Sequence, residues 1–382
     1  MRVLRSGVLA VALMVAAGVA VPSVMAQPLA AGVIGAANIG ETEKKTIEDF
    51  VALHIKDLAS GEAEKVRKGK NALVNPLLER VVSVPFRLEY SRVLLAADLA
   101  NLCKDKNDTV AINALRLAGE VAENGTVALV EEGFKDTRSA IRYAAVFAAG
   151  RSFEQVMPAG RAVAVTSGRL EQLVRSTAAV MNKDKEEALV VDGASRALLA
   201  AARVDFAKYE GVGKSAMVEV AKGLSTRLAK AGPDDTTIVE AGQRAATQFT
   251  ETLGGAKGAQ IDKDARKEAA TLGGELAAWV VRQLNTAKIP QIAKGDEAEE
   301  ATKKRKEREP FKTTLAAAEN VVLSALKASG ANPPMARLVP AFDQGDRGGD
   351  ANVVVQTKDW LIRDVLAKAP FEVAADRFKL TN

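Results

Sequence analysis

The chain has 382 residues, 48% hydrophobic and 26% charged, so it can bury a core while staying soluble, and disorder along its whole length is excluded. Aromatic residues make up only 4%, and Ala and Val supply much of the apolar content, which favours closely packed helices over an aromatic-rich β-sandwich. The net charge of +5 falls to about +3 once a leader carrying Arg2 and Arg5 is set aside, a balance that argues against a dedicated nucleic-acid binder.

Met1 to Arg5 place two positive charges ahead of an apolar run from Gly7 to Val21. Pro22 and then Val24-Met25-Ala26 supply the helix break and small residues of a signal-peptidase site. The run falls short of the ~20 residues that span a bilayer. Residues 1–26 therefore read as a signal peptide cut after Ala26, with an uncleaved signal anchor as the alternative. No Cys follows the cut to take a lipid, and no later stretch is long and apolar enough to cross a membrane. The expected mature chain is exported, periplasmic or extracellular, with a flexible start over 27–40.

Helical periodicity begins at Glu41, and His54 lies on the first amphipathic stretch in Phe50-Val51-Ala52-Leu53-His54-Ile55. Asn71 to Val82 and Phe86 to Cys103 read as a helix pair with Pro85 at the junction. Cys103 closes an apolar face and reads as a buried small hydrophobe. His54 and Cys103 are the sole residues of their types. No internal disulfide or Cys/His zinc cluster is possible, and a Ser-His-Asp triad has His54 as its single candidate base.

The next segment repeats itself. Asp105-Lys-Asn-Asp-Thr-Val-Ala-Ile-Asn-Ala-Leu-Arg-Leu-Ala-Gly119 recurs 31 residues later as Asp136-Thr-Arg-Ser-Ala-Ile-Arg-Tyr-Ala-Ala-Val-Phe-Ala-Ala-Gly150. Without a gap, Asp105 pairs with Asp136, Val110 with Ile141, Ala114 with Ala145, Ala118 with Ala149 and Gly119 with Gly150. Each Asp sits in the turn before a helix, where a short carboxylate suits free N–H groups and the positive end of the dipole. The four-residue steps that follow make one stripe of small residues for close helix approach, and the glycines read as C-terminal stops. Between the copies, Gly125 to Phe134 supplies a shorter helix with Val127, Val130 and Phe134 on one face. One unit is helix, turn, helix.

With these residues in view the chain resembles the HEAT-like family of α-solenoid repeats. Asp136, Ile141-Arg142, Ala144-Ala145 and Ala148-Ala149-Gly150 match the family's Asp, Val-Arg, Ala-Ala and Ala-Leu-Gly pattern, and the likeness is specific over about 89–153. The resemblance implies that Arg142 bonds between adjacent repeats, toward Asp105 or Asp136. The first copy has Ala111 at that position, which weakens its joint or caps the array.

Leu170 to Met181 and Glu186 to Arg203 make a further helix pair, with Asp184-Lys-Glu-Glu187 as a capping box. From Gly213 the stripe Ala216, Val220, Leu224, Leu228 steps by four to a stop at Gly232-Pro233. Thr236 to Leu253 and Ala265 to Leu284 are helical, with Trp279 as a core anchor and Gly254-Gly255 and Gly273-Gly274 as breaks or close contacts. Residues 41–290 thus form a helical-repeat domain. Residues 291–310 form a charged helix or linker whose acidic and basic blocks pair along one helix, and 311–382 a C-terminal extension. Within it Pro310 to Ala328 is helical, 329–352 is a loop rich in Pro, Gly and Asp, Val353-Val354-Val355 is a short strand and Trp360 to Ala367 a final helix.

Three motifs are set aside. Gly211-Val-Gly-Lys-Ser215 lacks the first Gly of a P-loop, Lys208 standing in its place. Asp343, Asp346 and Asp350 depart from EF-hand spacing, with Arg347 among them, so turns are favoured over a Ca²⁺ site. Asn107-Asp-Thr and Asn124-Gly-Thr fit the glycosylation triplet, which matters only in a eukaryotic secretory route.

The expected architecture is therefore an all-α, HEAT-like solenoid of stacked helical hairpins with a less regular C-terminal extension. Function is expected to be binding, without enzyme activity, cofactor or metal. The expected partner is another protein, with an acidic envelope polymer as the alternative and no nucleic acid. The surface that flanks the repeat helices, Lys104, Lys106, Glu131, Glu132, Lys135 and Arg138, is the candidate contact region. A self-associating envelope component and a carboxylate-dependent hydrolase are the alternatives from other classes.

Overall fold

The computed structural model describes residues 28–157, 164–204, 209–293, 295–344 and 349–381. The expected signal peptide, Lys208, and Asp346 with Arg347 lie outside the described residues. After a first turn, α1 (Ala31–Ile34), the array begins with α2 (Glu41–Leu58) and α3 (Ala63–Val74). The echoed segment supplies α6 and α8. In order follow α4 (Val84–Ala96), α5 (Leu99–Leu102), α6 (Asp108–Val121), α7 (Asn124–Gly133), α8 (Ser139–Val156), α9 (Ser167–Asn182) and α10 (Ala188–Ala201). The rest comprises α11 (Glu210–Leu228), α12 (Thr236–Gly254), α13 (Lys263–Asn285), α14 (Ala298–Ala328), α15 (Leu338–Phe342) and α16 (Gly349–Val355).

These helices form two layers. In one, α3, α6, α8, α10, α12 and α14 pack side by side in chain order, and in the other α7, α9, α11 and α13 do the same. Each helix thus meets its layer neighbour and its hairpin partner, the nearest-neighbour pattern of an all-α solenoid. The described residues contain no strand, only an isolated bridge between Glu123 and Ala164. No described helix is long and apolar enough to cross a membrane.

The repeat stripe is buried as its spacing demands. Val110, Ala114 and Ala118, and Ile141, Ala145 and Ala149, are sealed between neighbours. Asp105 and Asp136 each accept the N–H two residues on, at 2.7 and 2.8 Å, shaping the turn before α6 and α8. The glycines do not stop these helices, since Gly119 and Gly150 lie inside them. A Cβ on Gly119 would stand 2.5 Å from the carbonyl oxygen of Ala148. Its bareness lets α6 and α8 touch backbone to backbone.

Several other local expectations are corrected. Helix α3 ends at Val74, because Pro76 continues the chain as a 3₁₀ turn over Asn75–Leu77. The next helix breaks at Asp98, whose φ is 74°, so α5 is separate and Cys103 caps it. No capping box over Asp184 to Glu187 precedes α10, because the helix starts only at Ala188, with Glu187 itself at the N-cap and no side-chain cap. Residues 291–310 are not a segment apart. Helix α14 runs unbroken through Pro310, with Glu299 and Glu300 in its first turn, where the dipole favours them, and Lys304 on Asp296 at 2.9 Å.

The region 329–352 is not all loop. Glu319 of α14 turns its carboxylate on the N–H groups of Arg337 and Leu338, the latter at 2.9 Å, and so starts α15. Val353 to Val355 are helical rather than extended. They belong to α16, which runs into a π-helical stretch, Gln356–Leu366, seated on α13. Trp279 is a core anchor as expected, stacked on Phe311 with ring centroids 5.6 Å apart. Gly273 and Gly274 are the close-contact kind, meeting Ala318 of α14 on one side and Phe378 on the other.

Candidate binding groove

The residues expected at the contact surface separate into two groups. Lys104, Lys106, Glu132 and Lys135 are exposed at the edge of the array. Glu132 holds Lys135 at 2.7 Å and faces Lys104 at 4.0 Å, and the Lys135 hydrogen bond draws its carboxyl below the usual range. With Arg138, three of these four line a shallow recess of about 390 Å³. Glu131 is not at the surface. It is buried against Arg169 at 2.5 Å and Ser176 at 2.9 Å.

Arg138 is a joint. Its guanidinium donates to the Asp105 carbonyl at 2.8 Å and the Asp108 carboxylate at 2.9 Å, and pairs with Asp136 at 2.8 Å. It thus clamps two successive repeat turns, the task assigned in sequence to Arg142. Arg142 instead reaches forward. It forks onto Glu186 at 2.6 and 2.9 Å and donates to the carbonyls of Asp136 and Thr137. Its partner Glu186 lies 44 residues on and belongs to the next unit.

The lone chemistry-bearing residues are structural. Cys103 is buried, and burial pushes its thiol up to about 12. His54 is buried edge-on to Phe50 at 4.6 Å, and desolvation lowers its pKa, so it stays neutral at pH 7. Gly211 to Ser215 occupy the first turns of α11 rather than a phosphate loop. Asp343 and Asp350 are engaged by Lys312 at 2.8 Å and Arg308 at 2.7 Å.

A larger concavity lies elsewhere. A groove of about 830 Å³ crosses α8, α10, α12 and α14, on the layer to which both repeat copies belong. Helix α10 packs closely on α8, because Gly193 admits Val146 and Tyr143 and Gly150 admits Ala197. Its contact with α12 is less extensive, and the layer opens there. Gln248 crosses the opening to the Leu199 carbonyl at 2.8 Å. Asp192 ties α10 to α12 through Arg244 at 2.7 Å and also holds Arg196 at 2.8 Å.

On one rim stand Tyr143, 41% exposed, and Phe147, 47% exposed. Such rings are unusual outside the core of a chain with so few aromatics. The guanidinium of Arg116 lies 5.6 Å over the Phe147 ring. Arg203 on the same side and Glu240 and Glu251 on α12 are exposed and enter no ion pair among the described residues. Sequence reasoning missed this groove. A signal was present in Tyr143 and Phe147, an i,i+4 aromatic pair two positions off the Ile141-Ala145-Ala149 stripe.

No family model matches the chain, and no curated protein matches it. Among solved structures it is similar to an engineered protein at 14% identity over 72% of this chain and 97% of that one, TM-score 0.38. A designed armadillo repeat protein is likewise 14% identical, over 73% and 99%, TM-score 0.29. The solenoid assignment therefore stands on the helix layers themselves.

Proposed function

We propose that this chain is an exported, non-enzymatic scaffold of HEAT-like repeats that binds a segment of another protein in the α8–α14 groove. The observation that carries the reading is the exposed pair Tyr143 and Phe147 on the rim of this 830 Å³ groove. Interfaces are anchored by aromatic side chains and Arg, and both stand here on a backbone fixed by packed helices. The groove's carboxylates do not suit hydrolysis. Asp192 is neutralised by two guanidinium groups, and Glu154 is engaged by Arg151. Glu240 and Glu251, eleven residues apart on one helix, are separated by roughly 16 Å of helix rise, beyond the ~5–9 Å that paired glycosidase carboxylates need. The N-terminal charge and apolar pattern supports export.

A photo-crosslinking amino acid placed at Phe147 in the full chain, with Lys222 on the opposite layer as control, tests the binding site. A discrete protein adduct at the first position and not the second is expected. Identical adducts at both, or none at Phe147, would sink the proposal. Sequencing the N-terminus of chain recovered outside the cytoplasm is expected to begin at Gln27.

A further inference from the structure

The groove is not electrically uniform, and its pattern selects among occupants. Outside the groove, on the flank beyond the Phe147 rim, Lys70 on α3 is half-buried and enters no ion pair among the described residues, and burial together with the charge of Arg116 holds its ammonium below the usual lysine range. Glu120 acts in the opposite sense but is already engaged by Arg151 and Gln155. Lys70 on α3, Arg116 on α6 and Arg203, which follows the end of α10 and enters no ion pair among the described residues, therefore set uncompensated positive charge on this side, with the Tyr143 and Phe147 rings on α8, the helix between α6 and α10. Across the opening the sign reverses, at unpaired Glu240 and Glu251 on α12.

We infer that the occupant is an acidic polypeptide segment with a bulky apolar side chain beside its carboxylates and a cationic residue at the end that reaches α12. This rests on the protein-binding reading of the groove and adds the chemistry of the partner. A carboxylate over Lys70 and Arg116 relieves the repulsion between them, and an apolar side chain against Tyr143 and Phe147 removes their rings from water. A uniform polyanion gains the first contact but leaves the rings wet and is repelled by α12. Sign reversal between the flank with its rim and the α12 wall is met by a polypeptide rather than by an acidic polysaccharide or a nucleic acid.

The test is selection of a random peptide display library on the full chain, with counter-selection on Phe147→Ser, an exposed site whose change leaves the core intact. Enriched peptides are expected to carry acidic residues next to Phe, Tyr, Trp or Leu. As labelled peptides they are expected to lose about tenfold in affinity on Arg116→Glu, a difference of about 1.4 kcal/mol, and to weaken as salt rises. Enrichment of basic or neutral peptides that still depends on Phe147 would overturn the acidic specificity and leave the binding reading standing. Absence of any Phe147-dependent peptide would overturn both. Displacement of the peptide by a soluble polyuronate, at equal carboxylate concentration and equal potency, would overturn the polypeptide assignment.

Discussion

Between α6 and α8 the array is joined by smallness: Gly119 against Ala148, and Ala114, Ala118, Ala145 and Ala149 buried along the seam. At the other end, where α13 meets α14 and the C-terminal segment, the joint holds charge. Glu275 is fully buried beside Arg377 at 3.5 Å, and neither of its oxygens has a hydrogen-bond partner. Arg282 donates to the carbonyls of Lys379 at 2.8 Å and Leu228 at 2.6 Å. Small residues seal a joint by shape alone, with no desolvation to offset. Buried charges seal one only where each finds partners, and those partners come from distant parts of the chain.

The Arg142–Glu186 fork lies between these extremes and gives the largest expected effect. The Glu186 side chain is fully buried, so Arg142→Ala leaves a carboxylate sealed in with the Glu187 N–H at 3.1 Å and Lys183 at 3.7 Å. A loss of about 3 kcal/mol is expected from denaturant unfolding, the range for breaking one side of a buried pair. Lys135→Ala, which removes an exposed pair of nearly equal length, is expected to leave the unfolding midpoint nearly unchanged. Equal losses from the two variants would show that the Arg142 joint contributes nothing as a buried bridge.

A milder effect tests the seam of small residues. Gly119→Ala drives a methyl group toward backbone atoms of Ala148 that cannot swing aside, and about 2 kcal/mol of destabilisation is expected despite the better helix propensity of Ala. Gly168→Ala at the start of α9 meets nothing within 4 Å and is expected to be neutral or stabilising by about 0.5 kcal/mol. If both variants gain stability, Gly119 is not a packing glycine.

This contrast explains what was legible in the sequence. The Asp105 to Gly150 echo was readable because each seam position repeats its chemistry at a fixed offset, and the stripe, the turns and the two-helix unit followed from it. The glycines were misread as stops, since local pattern shows that a glycine is present but not which backbone approaches it. Arg138 makes the joint expected of Arg142, and Arg142 makes another, for a related reason: both lie near the repeated Asp, and only the path of the next unit brings Glu186 under Arg142. The groove was missed because it opens where α10 parts from α12, a property of curvature and not of any one helix. The C-terminal region escaped for the strongest version of this cause. Glu319 starts α15 from 18 residues away, and Arg282 is satisfied by a carbonyl 97 residues on.

The charged end of the array yields the smallest expected effect, and one with a distinctive dependence on pH. Burial raises the Glu275 carboxyl to about 7 from an ordinary value of 4.5, against the pull of Arg377 and Arg282. Between those values the folded chain holds a proton that the unfolded chain has released, so stability is greatest at the acid end and falls as pH rises from about 4.5 through about 7. Glu275→Gln keeps the shape and abolishes the titration. Its amide remains buried without full hydrogen bonding, so the gain above pH 8 is expected to be only about 1 kcal/mol, with no gain near pH 4. Hydrogen exchange at Phe371 to Leu380, the segment packed on α13, localises the change. A wild-type chain whose C-terminal protection is flat across this window, or strengthens as pH rises, would mean that the Arg377 pair outweighs desolvation and that the charged joint seals as firmly as the small-residue one.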